Sequence, residues 1–91
     1  MDIRVVNRGN EVINVSRLNI MAEGKYILGK SEKNDVVVVE RFESEEKAKE
    51  EMSKVIWVIE KANEVKQESI IIDFRENKAE YEIKKKYDMP Y

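Results

Sequence analysis

Residues 44–66 read SEEKAKEEMSKVIWVIEKANEVK, and their period is helical. Ser44 offers a side-chain oxygen to the first free N–H groups of a helix, and Glu45 and Glu46 sit where the helix dipole favours negative charge. At 100° per residue, Ala48, Met52, Val55, Ile56, Ile59 and Ala62 share one stripe about 120° wide, widened on one side by Val58 and Val65. Lys47, Lys49, Glu50, Glu51, Lys54, Glu60, Lys61 and Glu64 cover the rest. The spacing predicts one long amphipathic helix over about 45–66.

The segments before it read as strands. Ile3–Asn7 and Glu11–Val15 are β-branched runs around Gly9-Asn10, residues that accept the positive φ of a tight turn, so a hairpin is predicted. Val15 to Ile20 continues extended, and Met21-Ala22-Glu23-Gly24 reads as a loop. Lys25–Gly29 and Val36–Val39 flank a polar connection and form a second hairpin. Four consecutive valines favour a strand through their stiff χ1. Their lack of alternation implies contact on both sheet faces, or an edge strand that buries its outer face elsewhere. After the helix, Ser69–Phe74 is a strand and Glu76-Asn77-Lys78 a turn. Ala79, Tyr81 and Ile83 then alternate with charged residues as a half-exposed strand.

The order is ββββαββ. The expected fold is α+β: an antiparallel sheet of five or six strands with the helix packed across one face. The expected core is Val5, Ile13, Val15, Ile27, Val38, Phe42, Met52, Val55, Ile56, Ile59, Ile70, Ile72 and Tyr81. Residues 1–91 form one domain, with no linker or repeat.

Composition narrows the chemistry. The chain has 17 basic and 19 acidic residues, a formal charge of −2, and no cysteine or histidine. Disulfides, thiolate or imidazole metal sites, and His-based catalysis are therefore excluded. Near-neutral charge argues against non-specific nucleic-acid binding, which usually shows a basic excess, and sequence-specific nucleic acid is not an expected partner either. No apolar run approaches the 18 residues of a membrane span, and Met1-Asp2-Ile3-Arg4 opens directly into strand-like sequence, so a cytoplasmic location is expected. The three glycines are isolated and build no phosphate loop. Asp2, Asp35, Asp73 and Asp88 lie in separate segments, with Asp73 the acid most open to burial. Ser44 and Lys47 have Ser-x-x-Lys spacing, which a helix cap explains. No catalytic residue, metal ligand or cofactor is assigned, and the chain is not expected to be an enzyme.

Two groups remain as binding candidates. Trp57 falls about 180° from the centre of the apolar stripe, among Lys54, Lys61 and Glu64. A tryptophan on a charged helix face calls for a cover: the C-terminal tail, a second copy, or another protein. The second group is an anion or nucleotide site from Arg41, Arg75, Lys84, Lys85, Lys86 and Tyr87. Arginine forks and lysines bind phosphate and rings stack on bases, if the fold brings them together.

The pattern resembles a group of short phage and integrated-element proteins of low-GC Gram-positive bacteria. The likeness rests on the strand–Gly turn–strand start at Ile3–Val15 and on the helix opening Phe42-Glu43-Ser44-Glu45-Glu46-Lys47-Ala48. Tyr87-Asp88-Met89-Pro90 adds an aromatic-x-x-Pro end. Gly9-Asn10 stands where an Asp-Gly turn is more usual. The group contributes no catalytic residues. The resemblance implies a small viral protein of the bacterial host cytoplasm that binds a host or self protein, an anti-CRISPR-like inhibitor of host defence. The alternatives are an oligomeric nucleotide-signal sponge and a structural or assembly domain.

Overall fold

The computed structural model describes residues 1–75. It is α+β, in the order β1 (Asp2–Val6), β2 (Val12–Asn14), β3 (Asn19–Glu23), β4 (Tyr26–Lys30), β5 (Val36–Arg41), α1 (Glu45–Glu64) and β6 (Ser69–Asp73). The expected strand over 79–84, and with it Tyr81, lies outside the described residues.

The single antiparallel sheet is corrected to two sheets of three strands. One runs β2-β1-β6 and the other β3-β4-β5. In the first, β1 pairs antiparallel with β2 but parallel with β6, with Ile3 opposite Ile70 and Val5 opposite Ile72. Parallel neighbours need a long crossover, and the whole span from β2 to α1 supplies it. The second sheet is an antiparallel meander. It includes Met21-Ala22-Glu23, expected as loop, because the chain turns at Gly24 (φ 58°) and not before it. The two sheets part at the turn after Val15, closed by Leu18 N–H to the Val15 carbonyl at 3.0 Å.

The helix packs on β3, β4 and β6 and so closes both sheets over one core. Val5, Ile70 and Ile72 come from the first sheet, Ile27 and Val39 from the second, and Ala48, Met52, Val55, Val58 and Ala62 from α1. Phe42 and Phe74 meet edge to face, ring centroids 5.6 Å apart.

Two expected core residues are outside it. Val38 is 52% exposed because it lies opposite Leu28 on the outer sheet face, and Val39 takes the inner place at a bulge. Ile56 is 47% exposed because the helix turns its Val55–Val58–Ala62 side inward to reach both sheets. That rotation also buries Glu51, whose carboxylate meets Lys47 Nζ at 3.2 Å and Lys54 Nζ at 3.6 Å. Ile13 and Ile59 are half-buried against the core.

The helix ends are as chemistry requires. Ser44 Oγ accepts from Lys47 N–H at 3.1 Å. At the other end Lys66 N–H bonds the Asn63 carbonyl and Gln67 N–H the Ala62 carbonyl, a Schellman closure with Lys66 at φ 55°. Among the described residues no helix is long and apolar enough to cross a membrane.

Candidate functional site

Helical geometry carries Trp57 to the solvent side of α1. It is 40% exposed and borders a shallow open depression with Glu60, Lys61, Asn63 and Glu64. Lys61 Nζ lies 3.3 Å from Glu64 Oε2, bridging one wall. Lys54 does not line this depression, and its Nζ lies 3.6 Å from the buried Glu51 carboxylate. Three of the four residues expected around a partner anchor, Trp57, Lys61 and Glu64, thus share one surface.

Of the anion candidates the structure describes Arg41 and Arg75, which are carried by different sheets. Arg75 follows β6 and is held by its own neighbourhood: Nε donates to Asp73 Oδ1 at 3.0 Å, Nη2 to Asp73 Oδ2 at 2.8 Å, and Nη1 to Asn10 Oδ1 at 3.0 Å. Asp73 is buried and also accepts Arg75 N–H. Arg41 lies in the other sheet, opposite Tyr26. Lys84, Lys85, Lys86 and Tyr87 lie outside the described residues. Among the described residues no three acids gather as a metal site.

A second surface was signalled by the valine run alone. Strand alternation puts Ile20, Ala22, Ile27, Gly29 and Val39 on the inner face of the β3-β4-β5 sheet. Its outer face carries three cross-strand rows: Asn19–Lys30–Val36, Met21–Leu28–Val38 and Glu23–Tyr26–Arg41. Lys30 Nζ reaches Glu23 Oε2 at 3.8 Å, passing across the Met21–Leu28 side. Met21 and Leu28 are half-buried, while Val36 and Val38 are 53% and 52% exposed. The apolar surface therefore opens towards β5.

The β5 edge is guarded at one end only. Asn7 Nδ2 donates to the Val39 carbonyl at 3.2 Å, and the Arg8 guanidinium donates to the Arg41 carbonyl. Arg8 also bonds Glu43 Oε1 at 3.0 Å and pairs with Glu40 at 3.5 Å. The bond from Arg8 holds the Glu43 carboxyl below the usual carboxylate range, and Glu43 in turn raises Arg8. Lys47 is raised by its bond to Glu51. Nothing among the described residues pairs with β5 beside Val36–Val38.

Compared with models of known families, with curated proteins and with solved structures, the chain shows no significant match.

Proposed function

We propose that this chain is a non-catalytic contact protein that binds another protein through the solvent side of α1, with Trp57 as the anchor. The observation that supports this is the 40% exposure of the tryptophan on a helix whose opposite side is fully engaged in the core. Large aromatic side chains at the centre of a polar rim dominate binding energies. Glu60 and Glu64 make the rim predominantly acidic, with Lys61 already bridged to Glu64. The matching partner surface is an apolar pocket bordered by basic residues. The specific form proposed, inhibition of a host defence effector by occupying its surface, comes from the resemblance to phage proteins.

The test is capture from lysate of a low-GC Gram-positive host, read by native mass spectrometry. A stoichiometric host protein held by the wild type, and held about 30-fold more weakly by Trp57→Ala, is expected for a loss of ~2 kcal/mol. Equal affinity for both chains removes Trp57 from the interface. Recovery of a bound small molecule in place of a protein overturns the reading in favour of a sponge.

A further inference from the structure

We infer that a second copy of this chain covers the outer face of the β3-β4-β5 sheet. The inference is independent of Trp57, which stands on the opposite side of the molecule, beyond the helix.

Two of the three rows of the face are self-complementary. Consider a two-fold axis lying in the interface and running along β4. It exchanges the β3 side of one copy with the β5 side of the other. Met21–Leu28–Val38 then lies over Val38–Leu28–Met21 of the second copy, an apolar row against its own reverse. The Glu23–Tyr26–Arg41 row does the same, so Glu23 of each copy faces Arg41 of the other. Two charge pairs thus close one end of an apolar strip; at the other end the Asn19–Lys30–Val36 row brings the two Lys30 side chains towards each other, each reaching back to Glu23 of its own copy. The Arg41 guanidinium, like that of Arg17, has no hydrogen bond or ion pair among the described residues, whereas Arg4, Arg8 and Arg75 are paired. Among the described residues the one ion pair of Glu23 is the 3.8 Å contact with Lys30. A two-fold interface makes each contact twice, so opposite charges at the two ends of one row favour a second copy of this chain as the occupant.

Packed sheets lie about 10 Å apart, within reach of an arginine and a glutamate extended towards each other. Three strands about 4.8 Å apart, each offering five residues, make a strip of roughly 14 by 17 Å. That is small beside the ~800 Å² per partner of a standard interface, so the dimer is weak and transient.

Sedimentation velocity on the full chain over a wide concentration series tests it, with circular dichroism confirming the fold of each variant. The wild type should pass from monomer to dimer. Val38→Asp, at an exposed position, should stay monomeric. Arg41→Glu and Glu23→Arg should each weaken self-association about tenfold or more, since each repeats a like-charge contact twice around the axis. Mixed together, the two charge variants should dimerise again, because every corner is then opposite in sign. Trp57→Ala should dimerise as the wild type does. A wild type that remains monomeric at the highest concentration overturns the inference, whatever else covers the face. So does a dimer that Val38→Asp leaves intact, or a mixture of charge variants that fails to associate.

Discussion

The guanidinium carbon of Arg8 stands 5.1 Å from the centroid of the Phe42 ring, and this contact ties together two sheets that share no strand. Arg8 leaves the end of β1, and Phe42 lies between β5 and α1. The cation lies over a ring already packed edge to face on Phe42's partner Phe74. The same guanidinium bonds the Arg41 carbonyl and Glu43, so one side chain holds the β1–β2 hairpin against the entry to the helix.

Replacing Arg8 with Met keeps most of the apolar stem and removes the charge. Losing the ring contact and the bond to the Arg41 carbonyl should cost about 1–2 kcal/mol in urea denaturation at neutral pH. The gap should also depend on pH. The folded Glu43 carboxyl titrates below its ordinary value because Arg8 bonds its ionised form. Its stabilising share is therefore complete above the ordinary carboxylate range and is lost as pH falls through the lowered value. The stability gap between wild type and Arg8→Met should narrow on acidification by the share that Glu43 contributes, leaving the part owed to Phe42 and the carbonyl; a gap that is constant down to strongly acidic pH assigns the effect to Phe42 and the carbonyl alone.

Asn7 should be the most sensitive polar residue of the hairpin. It is buried, accepts Gly9 N–H at 3.0 Å and Glu11 N–H at 2.9 Å, and donates to the Val39 carbonyl. Asn7→Ala strips partners from three backbone groups at once, and a cost of about 2–3 kcal/mol is expected. Asn7→Asp should be nearly as damaging, because it keeps the acceptor but loses the donor and places a charge beside Glu11. Amide exchange should show the β5 edge near Val39 opening in both variants. Protection unchanged at that edge would mean that Asn7 serves the turn only.

Much of this architecture is local and could be read from the chain. The helix was legible because its cap, its first-turn acids and its period agree. Trp57 was placed on the solvent side by the same arithmetic. The hairpin was legible too, although Asn10 and not Gly9 takes the positive φ. The parallel pairing of β1 with β6 was not, since no local pattern reports a neighbour more than sixty residues away. Four identical valines carry no phase, so whether Val38 or Val39 faces the core depends on a bulge that only the partner strand reveals. Arg75 looked available for an anion because its partners, Asp73 and Asn10, are brought to it by the strand end and by the distant hairpin turn. The opposed corners Glu23 and Arg41 emerge only from cross-strand register.

Lys66 occupies a position that favours glycine. It closes the Schellman motif at φ 55°, where a Cβ crowds the backbone. Its side chain makes no ion pair among the described residues. Lys66→Gly should therefore raise stability by about 0.5–1 kcal/mol, seen as a higher melting temperature with unchanged helix content. A lower melting temperature would show that the entropy of glycine in the unfolded chain outweighs the relief at the cap.

Glu51 tests what a buried charge contributes to this core. It is 5% exposed on the inner side of α1, with Lys47 and Lys54 as its only ion pairs among the described residues. Both lysines are more than a third exposed and can return to water at little cost. Glu51→Leu exchanges a desolvated carboxylate for a side chain of similar volume beside the core. Replacing a buried ion pair with packed hydrophobic groups is often neutral or stabilising. The expected result is a stability equal to the wild type or up to about 1 kcal/mol greater. Removing the cations instead is the damaging change. Lys47→Met with Lys54→Met leaves the carboxylate buried without a counter-charge, and about 2 kcal/mol or more should be lost. Adding Glu51→Leu to that pair should restore most of the loss. If Glu51→Leu alone is strongly destabilising, the carboxylate holds the helix in its rotated seat, and the inward turn of Val58 in place of Ile56 depends on it.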